Sequence, residues 1–245
     1  MKVSCLVYLF FLGFLTVAYG QVSDPDMGVL EKSHLPGFIK ERKPEVEDLH
    51  SRNYYLNDSW QLGSIVLKGG IEISNVLFKY DIIRHILEVK DNLDIYILSV
   101  KSVDSFYWLD ANNGKKILFQ PVDSYYNAPE AIFGFFEVLG TYKSIEDKFE
   151  LLIHHSVWLY PATSSVSLSG SHKSNDIFWR EDFYLSIDGE LNKLDRKRKN
   201  NYSLFSPYHQ EMREFIRKKG LTFRKKEDLT SIFSQYMILV SDTRN

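Results

Sequence analysis

Short alternating segments separated by tight-turn residues run through the middle of the chain, from Tyr54 to Leu194. The pairs Gly69-Gly70, Asp91-Asn92 and Asp188-Gly189 stand between them and are typical of tight β-turns. Strands joined by such short turns are antiparallel, because a parallel return needs a crossover of roughly a dozen residues. The pattern therefore predicts an antiparallel meander that forms a curved sheet, a sandwich or a barrel-like sheet.

Ten segments have the length and alternation of strands. They are residues 61–68, 71–80, 84–90, 94–101, 104–110, 115–122, 131–139, 148–160, 178–187 and 190–194. Two longer connections interrupt them, at 123–130 and at the Ser-rich stretch 161–176. Loops of that length are either functional or mobile, and the composition of the second one favours mobility.

After Leu194 the spacing of apolar residues changes from two to about 3.6, which predicts helices. Ser206 as the cap and Pro207 as the first helical residue predict a helix that ends at Gly220. A second helix is predicted from about Lys226, and amphipathic helices of this kind need a surface to cover. The predicted fold class is α+β, mainly β: the antiparallel meander followed by C-terminal amphipathic helices.

Residues 1–20 predict a secretory signal peptide. They combine one Lys, an apolar run from about Val7 to Ala18 and small residues at Ala18 and Gly20. The apolar run is shorter than the roughly 20 residues of a membrane span, so no transmembrane span is predicted in the mature chain. The expected location is exported: periplasm, outer-membrane surface or medium. The expected organisation is a signal peptide at 1–20, a polar leader, extended or partly ordered, at 21–53, an antiparallel β domain at 54–194 and a basic helical segment packed on it at 195–245.

The position of the single cysteine limits which sites the mature chain can contain. Cys5 is the only cysteine of the sequence and lies inside the predicted signal peptide. The mature chain is then expected to have no disulfide, no thiol nucleophile and no thiolate metal site. An exported protein of this size without disulfides fits a bacterial envelope or medium better than an animal secretory route.

Charge is distributed unevenly along the chain. Residues 193–226 carry a net charge of +9, from twelve basic and three acidic residues, against −2 for the whole chain. Two interpretations stay open: a solvated helical face, or contact with an anionic surface such as lipopolysaccharide. The contact residues expected in the second case are Arg196, Lys197, Arg198, Lys199, Lys218 and Lys219. This charge would also give non-specific affinity for the phosphates of a nucleic acid, but the predicted export argues against such a partner.

The sequence lacks the named catalytic signatures, among them G-x-S-x-G, H-E-x-x-H, the Walker loop and G-x-G-x-x-G. His154 and His155 are adjacent on a predicted strand, so their side chains point to opposite faces and cannot share a metal directly. His85 is expected to face solvent or to be hydrogen-bonded. We predict no catalytic residue, no metal and no cofactor.

Acidic residues offer two further candidates. Asp81 and Glu88 are expected to pair with Arg84 or Lys90, with general acid–base chemistry as the alternative. Residues 110–114, Asp-Ala-Asn-Asn-Gly, have oxygen-bearing side chains at the spacing that begins a calcium-binding loop. The later acidic ligand of such a loop is missing, so we expect these residues to form a β-turn.

Aromatic residues make up 15% of the chain and are dense enough for a glycan- or peptide-stacking platform. On a strand, however, apolar residues on both faces indicate a covered sheet, and the core is the favoured interpretation. The candidates for ligand contact are Tyr107, Trp108, Trp158 and Tyr160.

Several motifs carry a resemblance over roughly residues 54–240. They are W-x-x-G-x-I-V-L-K-x-G from Trp60 to Gly70, LFKYDIIRHILEVK at 77–90, VDSFYWLD at 103–110, GFFEVL at 134–139, LYPA at 159–162 and RKKGLTFRKKEDLTSIFSQY at 217–236. In these motifs the chain resembles a group of uncharacterised exported proteins of Bacteroidota-type bacteria. The resemblance implies a β-rich exported protein and transfers no catalytic residue.

Three functions follow from these observations. The first is a non-enzymatic envelope or secreted protein that binds or scaffolds, in contact with an envelope component. The second is a carrier of a lipid or other apolar ligand in a curved-sheet cavity, with the C-terminal helices as lid or plug. The third is a glycan- or peptide-directed hydrolase, which requires Asp, Glu or His side chains clustered in a cleft.

Overall fold

The computed structural model of the chain describes residues 38–40, 54–91, 94–160 and 176–242, without the side chains of 38–40, 159–160 and 176–177. The predicted signal peptide, most of the leader and the Ser-rich connection lie outside the described residues. The strands are β1 Phe38–Lys40, β2 Gln61–Leu67, β3 Glu72–Asp81, β4 Ile86–Asp91, β5 Asp94–Ser99, β6 Val103–Leu109, β7 Lys116–Pro121, β8 Phe135–Lys143, β9 Lys148–Tyr160, β10 Asp176–Ile187 and β11 Glu190–Lys193. The helices are α1 His209–Lys219 and α2 Lys226–Asp242.

All strands belong to one antiparallel sheet with the order β1-β5-β4-β3-β2-β6-β7-β8-β9-β10-β11. Two meanders make it up, β2 to β5 and β6 to β11, and they join where β6 pairs with β2. Over the described residues β1 and β11 are the edge strands, so the sheet is open there. The predicted fold class, mainly β with C-terminal helices, is confirmed.

One face of the sheet carries the core, and we call it the core face; the other is the outer face. Strand pairing places seven residues in one row across the core face: Ile73, Ile65, Phe106, Phe119, Glu137, Ile153 and Phe183. All seven are buried. Glu137 is the single charged residue of this row.

The sheet coils around the first half of its core. Strands β3 and β8 are separated by β2, β6 and β7, which would put them roughly 19 Å apart in a flat sheet. The rings of Tyr80 on β3 and Phe135 on β8 nevertheless meet edge to face with 5.4 Å between their centroids. The sheet therefore bends over its core face and encloses Phe78, Phe106 and Phe119, which have no solvent exposure.

The two helices cover the second half of the core face. The apolar stripe of α2, predicted from the sequence, is buried: Leu229, Ile232, Phe233, Tyr236, Met237 and Val240. These side chains pack with residues of β8, β9 and β10 in one cluster. Among the residues described, neither helix combines the length and the apolar composition required to cross a membrane.

The start of α1 differs from the prediction. The helix begins at His209 with Tyr208 as its N-cap, so Ser206 and Pro207 lie before it and do not cap or open it. The predicted end is confirmed, since Gly220 follows the last turn with a φ of 69°, the left-handed conformation that glycine adopts without strain.

Glu137 fastens α2 to the sheet. Its carboxylate accepts a hydrogen bond from Nζ of Lys226, the first residue of α2, and lies 2.8 Å from Nε2 of His155 on β9. Burial would raise the pKa of Glu137, but the hydrogen bonds with His155 and Lys226 outweigh it and hold the pKa below its ordinary value. The charged carboxylate is thus the form that the folded protein favours.

We expect this carboxylate to make stability depend on acid pH. Because the folded-state pKa of Glu137 is lowered, its contribution is complete above the unfolded-state value of about 4.3 and is lost as pH falls through the folded value. Glu137→Gln should cost about 1–3 kcal/mol of unfolding free energy at neutral pH and should flatten the loss of stability below about pH 4.5. Urea unfolding at a series of pH values measures both effects. The exposed Glu130→Gln is the control, and an equal flattening there would contradict the assignment.

Candidate functional site

His154 and His155 lie on opposite faces of β9, as the sequence predicts. His155 turns to the core face and contacts Glu137, while Nε2 of His154 on the outer face donates to the Phe133 carbonyl at 2.9 Å. Cross-strand pairing sets Asp182 opposite His154 and Arg180 opposite Ser156. A polar group of residues therefore occupies the outer face of β9 and β10.

The connection between β7 and β8, residues 122–134, lies across this outer face, and we call it the outer loop. Its apolar residues Val122 and Tyr125 pack on Phe136, Leu152 and Tyr184 of the sheet. Two backbone hydrogen bonds of Tyr126, with Gly189 and Leu191, tie the loop to the β10–β11 hairpin. The loop thus forms a fixed wall beside His154.

Phe133 and Gly134 end the outer loop and do not belong to β8, although the sequence predicts a strand from 131. Gly134 has a φ of 89°, and a Cβ built there would lie 2.3 Å from the Tyr80 hydroxyl and 2.5 Å from Nδ1 of His85. The absence of a side chain allows the β3–β4 turn to approach the loop. Phe133 is turned outward by this bend and is 62% exposed.

A cavity of about 520 Å³ lies between the outer loop, the β3–β4 turn and the outer face of β9 and β10. Its volume falls in the usual range of small-molecule sites, about 300–1,000 Å³. One part of its wall is apolar: Ile82, Ile83, Pro129, Ala131, Ile132, Phe133, Val157 and Trp158. The other part is polar or mixed: His85, His154, Ser156, Arg180, Asp182, Tyr184 and Lys193.

The fixed charges of the cavity leave an excess of one positive charge. The Asp182 carboxylate is shared by Arg180 and Lys193, each at 3.0 Å. Burial would raise the pKa of Asp182, but the hydrogen bonds from Lys193 and Arg180 outweigh it and lower the pKa. Burial lowers the pKa of both His85 and His154, so neither adds charge at neutral pH. Two cations thus face one carboxylate.

The polar residues do not form a hydrolytic relay. Ser156, His154 and Asp182 share one face, but the Ser156 hydroxyl donates to the Arg180 carbonyl at 3.4 Å and His154 Nε2 donates to the Phe133 carbonyl. The Asp182 carboxylate is held by cations. In the described part of the chain, no hydrogen bond links the Ser156 hydroxyl to His154 or His154 to Asp182, as a serine hydrolase relay requires.

The acidic candidates of the β3–β4 region lie apart from the cavity lining. Arg84 bridges Asp81, at 2.6 Å, and Glu88, and Tyr55 donates to Glu88 at 2.8 Å. The predicted pairing with Arg84 is confirmed, but Arg84 makes it from the turn between β3 and β4 and not from a neighbouring strand. These carboxylates anchor the β3–β4 turn, and His85 follows Arg84 in it, hydrogen-bonded to Tyr80 at 3.2 Å.

Of the four predicted ligand-contact residues, the three whose side chains are described are not brought together. Trp158 lines the cavity and is 56% exposed. Trp108 is buried and stacks on Phe119 in the core, so its ring belongs to the packing of the sheet. Tyr107 projects from the other face of β6, under Nζ of Lys116 at 3.7 Å. The side chain of Tyr160 lies outside the described residues.

The predicted anionic-surface residues form two groups that meet. Arg196, Lys197, Arg198 and Lys199 follow β11, and Lys218 and Lys219 end α1. Arg198 joins the groups by donating to the Gly220 carbonyl at 3.3 Å. All but the half-buried Arg198 are exposed, and an anionic surface as their partner stays a prediction.

Metal-ligand geometry is not found in the described ranges, where no three His, Cys, Asp or Glu side chains are placed to hold an ion. At 110–114 the backbone forms a turn, as predicted, in which Asp110 accepts from the Asn112 amide at 2.8 Å.

Sequence reasoning missed Lys193 and the cavity role of His85, and it placed Phe133 on a strand rather than in a loop. A signal for Phe133 was present, since Gly134 interrupts a run of apolar residues and a glycine inside a strand pattern often marks a bend. A signal for Lys193 was also present, since the Asp188-Gly189 turn sets Lys193 opposite Tyr184 and so on the same face as Asp182.

Comparison of the chain with protein-family models, curated proteins and solved structures gives no significant match. The resemblance to exported Bacteroidota-type proteins therefore stays a prediction.

Gly134 offers a direct test of the wall geometry. Gly134→Ala should lower the unfolding free energy by about 3 kcal/mol or more, because it adds a clash with Tyr80 and His85 to the strain of a positive φ. Gly114→Ala is the matched control, since Gly114 also has a positive φ, 67°, but open space around it. It should cost about 1 kcal/mol. Equal losses in chemical denaturation would contradict the described contact.

Proposed function

We propose that this chain is an exported binding protein whose ligand is an amphipathic anion, an acyl or aromatic group attached to a carboxylate or phosphate. The observation that carries the proposal is the cavity on the outer face, in which an apolar wall meets a polar wall with one excess positive charge. This joins two of the functions expected from the sequence, binding and carriage of an apolar ligand, at one site.

The apolar wall supports an apolar ligand group. Trp158 and Phe133 are 56% and 62% exposed, which is high for aromatic side chains beside a cavity. Covering side chains of this kind contributes about 1–3 kcal/mol each. Both side chains line the cavity, so an alkyl chain or flat ring bound there would remove part of their surface from water.

The polar wall supports an anionic head group. Lys193 and Arg180 share the single Asp182 carboxylate, so a second anion can be accommodated without leaving a carboxylate unpaired. A guanidinium and an ammonium group suit carboxylate and phosphate oxygens alike. The neutral histidines add hydrogen-bonding groups rather than charge.

The position of the helices favours the outer-face cavity over a cavity on the core face that the helices would close as a lid. Helix α2 fills the core face of β8 and β9 with its own apolar stripe. The proposed ligand therefore binds on the other side of the sheet, and α1 and α2 are structural. The predicted signal peptide supports a role in the periplasm, at the outer membrane or in the medium.

Titration calorimetry with dodecanoate and dodecanol tests the proposal. We expect dodecanoate to bind, dodecanol to bind at least tenfold more weakly, and acetate not to bind. Trp158→Ala should weaken dodecanoate binding about tenfold. Lys193→Gln, which removes the excess charge, should bring the two C12 ligands to similar affinity.

The matched control is Trp179→Ala. Trp179 is 50% exposed on the neighbouring strand but projects from the opposite face, so its removal should leave dodecanoate binding unchanged within twofold. Absence of dodecanoate binding, or equal losses from the two tryptophan variants, would contradict the proposal.

A further inference from the structure

The long strand β10 is paired on only one side over much of its length. Its partner β9 follows it from Asp176 to Ile187. On the other side β11 pairs only from Tyr184 to Ile187. Among the described strands, the segment 176–183 of β10 therefore presents an open edge.

Strand geometry identifies the backbone groups on this edge. In an antiparallel strand the N–H and C=O of one residue point to the same side, and that side alternates along the chain. The Phe183 carbonyl accepts from the Leu194 amide at 2.8 Å, on the side of β11. The N–H and C=O groups of Glu181 and Trp179 consequently point to the open edge.

A groove of about 400 Å³ runs beside this edge. Its far wall is formed by Leu194, Arg196, Phe223 and Arg224, which belong to the chain after β11 and to the segment before α2. The groove therefore offers outward-facing backbone groups on one side and apolar and basic side chains on the other.

The groove also carries uncompensated positive charge. Arg180 is occupied by Asp182, but Arg196 and Arg224 are exposed and have no carboxylate within ion-pair distance among the described residues. The exposed Glu181 is the other carboxylate of the lining, so three guanidinium groups stand against two carboxylates. Two guanidinium groups are thus available to an anionic partner.

We propose that this groove receives an extended acidic peptide of a partner protein, which adds to β10 as a strand beside Trp179 and Glu181. Strand addition uses main-chain hydrogen bonds for affinity and flanking side chains for specificity. Here Arg196 and Arg224 select acidic residues. A second copy of this chain fits less well, because a symmetric edge pairing would bring two such arginine pairs together.

The probe is the labelled peptide acetyl-Glu-Val-Glu-Val-Glu-Val-amide, with binding followed by fluorescence anisotropy. We expect saturable binding that is lost with the Lys-Val analogue and with a peptide N-methylated at its central residues. The double variant Arg196→Gln/Arg224→Gln should weaken binding at least tenfold. Arg213→Gln/Lys218→Gln, the same charge change on the exposed surface of α1, should change it less than threefold.

A backbone test separates strand pairing from simple charge attraction. Trp179→Pro removes an amide that points to the open edge and leaves the pairing with β9 intact, so the variant should fold but lose peptide binding. Trp179→Ala keeps the amide and should retain binding. Thermal unfolding and circular dichroism verify that both variants fold.

Three results would overturn the proposal: equal binding of the Lys-Val peptide, equal affinity of the proline and alanine variants, or a dimer in sedimentation that Trp179→Pro dissociates. The last result would assign the edge to a second copy of the chain. Trp158→Ala should leave peptide binding unchanged, which distinguishes this groove from the proposed ligand cavity.

Discussion

The buried Glu137 carboxylate connects the main parts of this molecule. It stands in a row of otherwise apolar residues on the core face, where an unpaired charge would be costly. His155 of β9 and Lys226 at the start of α2 compensate it. Because Lys226 begins α2, the same contact places the apolar stripe of the helix on β8 and β9. Helix α2 therefore covers the core face of β8 and β9 with its own apolar side chains.

The proposed ligand cavity lies on the outer face. Coiling of the sheet brings the β3–β4 turn to the outer loop, and Gly134 permits the approach. The cavity thus depends on residues far apart in the sequence, held by a turn, a loop and two paired strands. On one side of the cavity, Arg84 holds the β3–β4 turn in place through Asp81 and Glu88. On the other side, the backbone hydrogen bonds of Tyr126 hold the outer loop on the β10–β11 hairpin.

The alternating segments and the turn pairs were sufficient to predict the antiparallel strands, and the spacing of Leu229 to Val240 was sufficient for α2. These are local patterns, and local patterns do not specify that β6 returns to pair with β2 or that the sheet coils. The cavity follows from those non-local features. Trp158 was among the predicted contact residues, but Phe133 was placed in a strand because its neighbours alternate. The Asp188-Gly189 hairpin brings Lys193 near Asp182, but their place in a cavity depends on the outer loop, which packs across the sheet from a distant part of the sequence.

Hydrogen exchange of the intact protein with and without dodecanoate tests the central claim most directly, since it reports where the ligand lies. The account predicts slower amide exchange in 82–85 and 129–133, the two segments that wall the cavity, and unchanged exchange in α1 and α2. Protection confined to the helices, or no protection at either wall segment at saturating dodecanoate, would contradict it.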